Sequence, residues 1–326
     1  MSDLSRDAIR GVLLGTAVGD ALGMPVEGLS HSNVRTYYKG IKEYRDDDQR
    51  GDLEAGQWTD DTQMTLAVAG AVAAAPDDPD VWPQGVADRY VDLQDQARRW
   101  GATTTAAIER LADGTPPEDA GSSEQATDGA AMRAAPLGLW WASRDKSREA
   151  AFEAICPVLS VTHRHPAALA AGWGQAFAVQ HVVGQAPEAF DRDAFWSALT
   201  DATAWGEEQL GADDRVSRRL RSLSDHLDAF PLDLGDRCDG VSVRAADAWP
   251  FACAMFARRP HLLENSLLSG INVGGDADTT GAMMGALFGG LHGWEAFPDE
   301  WKEGLEDVDR LTGEADSLAK SLQNTW

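Results

Sequence analysis

Hydrophobic residues recur along most of this chain at the three- and four-residue intervals that place side chains on one face of an α-helix. The first such stretch, residues 5–23, also carries Gly11, Gly15 and Gly19 at four-residue intervals, which predicts a closely packed face on this helix. The same periodicity predicts further helices over residues 59–75, 82–112, 129–142, 147–159, 166–184, 193–210, 246–258 and 278–292. Polar or glycine-rich sequence predicts loops over residues 39–56, 113–128 and 235–245. Because no alternating strand pattern and no repeat accompanies them, the sequence predicts an all-α fold and a single compact domain over residues 1–326.

The last of these predicted helices is unusually rich in glycine. It contains Gly281, Gly285, Gly289 and Gly290. Each glycine inside a helix costs about 1 kcal/mol relative to alanine. Such a cost indicates that another backbone approaches this helix closely.

The chain is strongly acidic, with 53 Asp and Glu against 28 Lys and Arg and a net charge of −25. This charge repels phosphate backbones and anionic lipids, so it disfavours general nucleic-acid binding and membrane association. No run of about 18 apolar residues indicates a membrane span, and the N-terminus lacks the basic region of a signal peptide. Cys156, Cys238 and Cys253 are odd in number and widely spaced, which is typical of reduced thiols. We therefore expect a cytoplasmic protein, with the oligomeric state left open.

Two short acidic clusters stand at the predicted starts of two helices. The first is Thr59-Asp60-Asp61-Thr62, and the second is Asp276-Ala277-Asp278-Thr279-Thr280. Either cluster alone would most often be a helix N-cap. Together they offer carboxylate and hydroxyl oxygens, the ligands that Mg²⁺ and Mn²⁺ prefer, and the lack of a nearby His or Cys argues against zinc. The pair predicts a site for two divalent cations, Mg²⁺ or Mn²⁺.

A third segment, residues 15–28, ends the first helix with glycine and proline and places Glu27 in a turn. Judged by spacing alone, Glu27 is most often a solvated loop carboxylate. Asp20 lies among small residues within the helical pattern. Its position favours helix packing or a structural hydrogen bond.

Three segments together resemble the ADP-ribosylglycohydrolase family: GDALGMPVEG, GQWTDDTQM and NVGGDADTTGAMMGAL. The resemblance extends from about residue 9 to about residue 293, and it implies an all-α fold with a binuclear Mg²⁺ or Mn²⁺ centre in a cleft. The metal ligands that it implies are Thr59, Asp60, Asp61, Asp276, Asp278 and Thr279. It implies a catalytic role for Glu27, on a mobile loop over the site. Asp60 and Asp61 are further catalytic candidates, because either of them or Glu27 could hold the attacking water.

Further segments resemble the parts of this family that contact ADP-ribose. TDGAAMRAAPLG resembles a segment whose backbone amides approach the diphosphate and ribose, which implies contacts from Asp128, Gly129, Ala130, Ala131 and Met132. VTHRHP implies a contact from His163, whereas an isolated loop histidine is usually structural. RRWGATT implies contacts from Trp100 and Gly101.

This sequence also departs from the family pattern in the same segments. Asp128 stands where relatives have Asn, and Trp100 stands where they commonly have an acidic residue. Val243 and Arg244 stand where many relatives have an aromatic residue or a second glycine. Trp100 could stack on the ligand, although an aromatic residue is more often part of the packing.

The resemblance implies metal-dependent hydrolysis of the glycosidic bond between ADP-ribose and a modified target, foremost a protein side chain such as arginine. Serine, a nucleobase or an acyl ester stay open as leaving groups, and a small ADP-ribose derivative stays open as the substrate. One alternative is a two-metal phosphohydrolase, because clustered carboxylates also suit phosphoryl transfer. Others are a non-catalytic ADP-ribose-binding relative and an acidic structural protein whose clusters are only helix caps.

Overall fold

The computed structural model describes residues 4–323 of the chain. It consists of helices joined by loops and short 3-10 turns, with one π-helical segment, Val34–Tyr38. The α-helices are α1 (Arg6–Gly23), α2 (His31–Asn33), α3 (Asp60–Ala74), α4 (Trp82–Asp92), α5 (Ala102–Ala112), α6 (Pro117–Ala120), α7 (Ala135–Ala142), α8 (Arg148–Ser160), α9 (Pro166–Val182), α10 (Arg192–Gln209), α11 (Arg215–Leu223), α12 (Pro231–Arg237), α13 (Ala245–Arg258), α14 (Leu263–Ile271), α15 (Ala277–His292), α16 (Asp299–Gly304) and α17 (Val308–Gln323). Within residues 4–323 no β-strand forms, and sheet-like pairing is limited to three isolated bridges. The predicted all-α fold is confirmed.

The two glycine-rich helices, α1 and α15, pack directly against each other in antiparallel directions. Gly19 lies against Gly281, and a methyl group added at Gly19 would overlap the Gly281 carbonyl and lie 2.9 Å from the backbone nitrogen of Ala282. The same relation joins Gly15 to Gly285. The close backbone approach expected from the glycines of both helices is confirmed, and it places the end of α1 beside the start of α15.

The expectation that no stretch could span a membrane needs a correction. By length and composition, the helical stretch Arg6–Val26 is apolar enough to cross one. In the folded chain, 18 of the 21 residues of this stretch are buried inside the protein, where α15 covers one face of it. A central core helix meets the same criterion of length and hydrophobicity, because it too is surrounded by apolar groups.

Two predicted helices are wrong in part. Residues 82–112 do not form one helix, since α4 ends at Asp92, α5 begins at Ala102, and Arg99 between them has left-handed backbone with a φ of 56°. Residues 129–142 start with a 3-10 turn, and α7 begins only at Ala135, with a proline in its first turn. In both places a loop with site residues interrupts an apolar pattern, because tertiary contacts outweigh local helix preference.

The sequence patterns did not predict several of the helices: α2, α6, α11, α12, α14, α16 and α17. Of these, α17 had a readable signal, because its buried residues Leu311, Ala315, Leu318 and Leu322 follow helical spacing. Buried apolar side chains from most helices form one continuous core. The three cysteines are free thiols, as expected.

Candidate active site

Asp20 fixes the start of α3. Its buried carboxylate accepts hydrogen bonds from the backbone N–H and the hydroxyl of both Thr59 and Thr62, at 2.6–3.1 Å. These bonds satisfy N–H groups that have no partner within the helix. Burial raises the pKa of Asp20 to about 6, although the four donors favour its charged form. The structural role expected for Asp20 is confirmed.

The two acidic clusters meet at Asp61 and Thr279. The Thr279 hydroxyl donates to Asp61 Oδ2 at 3.4 Å, and Thr59 Oγ1 lies 3.2 Å from the same oxygen. Asp61 is 1% exposed, and its second oxygen, Oδ1, has no hydrogen-bond partner among the described residues. A buried carboxylate oxygen without a partner is costly. A positively charged group beside it would therefore be stabilising.

Most of the predicted site residues line one cleft of about 460 Å³. Those at its surface are Glu27, Asp60, Gly101, Asp128, Gly129, Met132, His163, Asp276, Asp278 and Thr279. The volume lies within the range of about 300–1,000 Å³ that small-molecule sites occupy. A larger cavity of about 790 Å³ lies elsewhere along α3, and none of these residues lines it.

The turn that carries Glu27 is paired with the loop before α15. The N–H of Gly28 donates to the carbonyl of Gly275 at 2.7 Å, and the N–H of Gly275 donates to the carbonyl of Leu29 at 2.8 Å. Gly274 and Gly275 have φ values of 82° and 74°, a conformation that glycine adopts without a steric penalty. The glycine pair therefore lets the backbone that carries Glu27 lie directly beside the second acidic cluster.

Two arginines contact the Glu27 carboxylate. Arg50 Nη1 lies 2.9 Å from Glu27 Oε2, and Arg99 Nη1 lies 3.2 Å from the same oxygen. Arg99 also forms ion pairs of 2.5 Å with Asp47 and with Asp52. The guanidinium of Arg99 thus links the Glu27 turn to the loop that precedes α3, and it lines the cleft itself.

The carboxyl groups around the cleft raise each other's pKa. Burial raises the pKa of Asp60, Asp61, Asp276 and Asp278 well above the usual range for aspartate. For Asp60 and Asp61, the next cause is repulsion from the charge of Asp20. The protein alone therefore disfavours full ionisation of this cluster, and cations would reverse that effect.

Asp128 lines the same cleft as the second acidic cluster. It is 5% exposed, and its carboxyl group interacts with that of Asp276. Burial raises the pKa of Asp128 to about 7. Its Oδ2 has no hydrogen-bond partner within the described chain.

The carboxylate and hydroxyl oxygens of the two acidic clusters are of the kind that bind hard divalent cations. The described residues contain no group of three His, Cys, Asp or Glu side chains that forms a metal cage by itself. Hydroxyl oxygens of Thr59 and Thr279 lie beside Asp61, however, and carboxylate and hydroxyl oxygens are ligands for Mg²⁺ or Mn²⁺. Two buried carboxylate oxygens, Oδ1 of Asp61 and Oδ2 of Asp128, are left without partners.

A buried arginine positions His163. Arg133 is completely buried and forms no ion pair with a carboxylate of residues 4–323, and its Nη2 donates to Thr162 Oγ1 at 2.6 Å. Thr162 Oγ1 lies 2.7 Å from His163 Nδ1, and His163 Nε2 lies 2.9 Å from Thr127 Oγ1. Burial lowers the pKa of His163 well below its usual value, and the charge of Arg133 lowers it further. His163 therefore presents a neutral ring to the cleft, packed so closely on Gly129 that a methyl group there would lie 2.5 Å from Cε1.

Some predicted residues lie away from the cleft surface. Thr59 and Asp61 are buried behind it. Trp100 is also absent from the lining; it packs against the core, and its Nε1 donates to Gln63 Oε1 at 2.9 Å. Ala130 and Ala131 are fully buried. The packing interpretation of Trp100 therefore describes its position better than stacking on a ligand.

The backbone amides of one predicted ligand segment are occupied. The N–H groups of Ala131 and Met132 both donate to the carbonyl of Asp128, at 2.7 and 3.2 Å. They close a tight turn inside the protein. In this structure both amides are therefore already hydrogen-bonded within the protein, and contact of this segment with a ligand stays a prediction.

Sequence reasoning missed several residues that line the cleft: Arg99, Ala102, Thr103, Thr104, Gln125 and Thr127. All but Gln125 lie inside the segments RRWGATT and TDGAAMRAAPLG that the sequence analysis singled out, and Thr127 could have been included. The contact between Arg99 and Glu27 had no signal of its own, because it depends on a left-handed backbone within an apparently helical stretch. Val243, noted as a departure from the family pattern, lines the cleft with 55% of its surface exposed.

The chain is similar over nearly its whole length to several known proteins. It is 33% identical to a protein of unassigned function from Archaeoglobus fulgidus, with 94% of this chain and 93% of that protein covered. It is 26% identical to the ADP-ribosyl-[dinitrogen reductase] glycohydrolase of Rhodospirillum rubrum, with 92% and 90% covered. A solved structure titled ADP-ribosylglycohydrolase-related protein complex matches with a TM-score of 0.76 and 26% identity, over 98% of this chain and 99% of that one.

The fold and these similar proteins place the chain among the helical glycohydrolases. The sequence profile of the ADP-ribosylglycohydrolase family matches residues 1–326. The chain belongs to the ADP-ribosylglycohydrolase family.

Proposed function

We propose that this protein hydrolyses the glycosidic bond that joins ADP-ribose to a modified target, foremost an arginine side chain, and that it does so with two Mg²⁺ or Mn²⁺ ions. The observation that carries the proposal is the contact between Asp61 and Thr279, which joins the two acidic clusters beside one cleft. Cleavage of such a bond passes through a transition state in which the sugar ring gains positive charge. A cleft lined with carboxylates suits that charge.

Divalent cations would supply Lewis acidity and lower the pKa of coordinated water. Asp60, Asp61, Asp276 and Asp278 would hold them, together with the hydroxyls of Thr59 and Thr279. In this arrangement Asp20 does not bind a metal, because its oxygens are engaged by the N-terminus of α3.

Glu27 would act at the sugar from the edge of the cleft. Its carboxylate is held by Arg50 and Arg99, and its backbone is paired with the loop before α15. From this position it can orient a water molecule or accept its proton. His163, kept neutral by burial, would serve as a hydrogen-bond partner for the bound ligand rather than as a cation.

The test is a panel of substrates with arginine-, serine- and nucleobase-linked ADP-ribose, incubated with purified protein and Mg²⁺ or Mn²⁺. Release of free ADP-ribose that stops on chelation is the expected result. Asp278→Asn should abolish metal binding and turnover together, whereas Asp95→Asn, at an exposed position outside the cleft, should change neither. Full activity of Asp278→Asn, or activity unchanged by chelation, would contradict the proposal.

The same assay distinguishes a two-metal phosphohydrolase, which would release AMP or phosphate instead. The residues described as lining the acidic cleft do not favour phosphate hydrolysis. Arg99 is the one Lys or Arg side chain in its lining, and it is paired with three carboxylates. We also propose that the protein acts in the cytoplasm, since its three cysteines are free thiols.

A further inference from the structure

A second cavity of about 460 Å³ lies between the segment 31–42, the start of α12 and the last turns of α14. It shares no lining residue with the acidic cleft. Its lining includes Arg35, Lys39 and Lys42 but no Asp or Glu. In a chain whose acidic side chains outnumber its basic ones by nearly two to one, this local excess of three cations is a strong departure. The cavity with these three side chains is called the basic pocket below.

The three cations of the basic pocket are not neutralised by the protein. None of them forms an ion pair with a carboxylate in the described part of the chain. Lys39 instead donates to the carbonyl of Thr36 at 3.2 Å. Glu43, which follows Lys42 in the chain, is paired with Arg45 at 2.7 Å. The charges of Arg35, Lys39 and Lys42 are therefore available to an anion from solution.

One wall of the basic pocket is apolar and unusually exposed. Phe230 has 74% of its surface accessible to solvent and Leu232 has 41%, although both are large hydrophobic residues. Leu268 extends the same wall. An exposed aromatic side chain beside a concave surface is typical of a binding site rather than of a protein exterior.

The polar side chains of this pocket are also free to bond a ligand. Asn265 and Ser269 line it, and neither side chain makes a hydrogen bond to another residue within positions 4–323. By contrast, Asn272 is fully engaged, since its amide bonds the backbone of Ile41 through both Oδ1 and Nδ2. The basic pocket thus combines three unpaired cations, an exposed aromatic side chain and two side chains that are free to form hydrogen bonds. Its Asn272 side chain is held in place by the backbone of Ile41.

We propose that the basic pocket binds a mononucleotide, with its phosphate between Arg35, Lys39 and Lys42 and its base against Phe230 and Leu232. The amide of Asn265 and the hydroxyl of Ser269 would bond the ribose or the edge of the base. The cavity volume suits a ligand of this size. This site is separate from the candidate active site and does not depend on the proposed hydrolysis.

Isothermal titration calorimetry with GMP tests the proposal, because guanine distinguishes this probe from the ADP-ribose expected in the cleft. Wild-type protein should bind GMP at one site, and the affinity should fall when NaCl is raised from about 50 to about 500 mM, since salt screens exposed charges. The double variant Lys39→Glu/Lys42→Glu should weaken binding at least tenfold. Phe230→Ser should also weaken it, through loss of the ring contact.

Matched controls are available on exposed parts of the same chain. Lys146→Glu and Val81→Ser change a lysine and a large apolar residue outside the pocket, and they should leave GMP binding unchanged. The side chains altered in the pocket variants and in these two controls are exposed, and circular dichroism should give the same helical content for each of them. Absence of wild-type binding at millimolar GMP would overturn the proposal. So would equal binding by Lys39→Glu/Lys42→Glu, or loss of binding in Asp128→Asn alone.

Discussion

Asp128 offers a direct test of the electrostatics in the cleft. Burial raises the pKa of its carboxyl group from an ordinary 3.8 to about 7. Repulsion from Asp61 and Asp278 acts in the same direction, whereas the interaction with Asp276 opposes the shift. The folded chain therefore binds this proton more tightly than the unfolded chain does. As the pH rises from about 4 to about 7, the unfolded chain loses this proton before the folded chain does, and the free energy of unfolding therefore falls.

The size of this effect on the free energy of unfolding follows from the shift in the pKa of Asp128. About three pH units at about 1.36 kcal/mol each give roughly 4 kcal/mol, which is an upper bound because the neighbouring carboxyl groups titrate together with Asp128. Asp128→Asn removes the ionisable group and keeps the shape of the side chain. Without metal at pH 8, this variant should unfold at a temperature up to about 6 °C higher than the wild type, given an unfolding entropy of about 2 cal/mol/K per residue.

The assay is thermal unfolding followed by circular dichroism between pH 4 and pH 8, in buffer with a chelator. The wild type and Asp128→Asn should coincide near pH 4 and separate as the pH rises. Asp145→Asn, at an exposed position, should follow the wild type throughout. Addition of Mg²⁺ or Mn²⁺ should narrow the difference. A stability difference that stays the same from pH 4 to pH 8 would refute the assignment of a raised pKa to Asp128.

Three further predictions concern the elements that hold the site. Gly19→Ala should lower the free energy of unfolding measured by urea titration by about 1–3 kcal/mol or more, because the added methyl group forces α1 and α15 apart. The control Gly313→Ala has open space around it and should leave that free energy unchanged or raise it slightly. Asp20→Ala should remove the cap of α3 and lower the melting temperature along with metal affinity, and unchanged metal binding would contradict the role of this cap. Arg99→Gln removes the ion pairs that link the Glu27 turn to the loop before α3. Amide hydrogen exchange over residues 24–54 should become faster and kcat should fall. Unaltered exchange would show that Arg99 does not hold the turn.

The sequence alone determined the helical class and the chemistry of the two acidic clusters. Hydrophobic periodicity is a local property, so it could be read without knowledge of distant contacts. The glycines of the first and last predicted helices indicated close packing for a similar reason, since a helix retains costly glycines where a side chain would not fit. The oxygen-rich composition of the clusters likewise indicated the kind of ion that could bind there.

Tertiary structure alone decided how these parts combine. No pattern in the sequence shows that Gly19 faces Gly281, or that the structural hydrogen bonds expected of Asp20 are made to the start of α3. The left-handed turn at Arg99 and the packed position of Trp100 both oppose local helical preference, because contacts with distant carboxylates and with Gln63 hold them in place. The basic pocket arises only where segments about 200 residues apart meet in the fold, and a linear sequence does not specify which charged side chains converge.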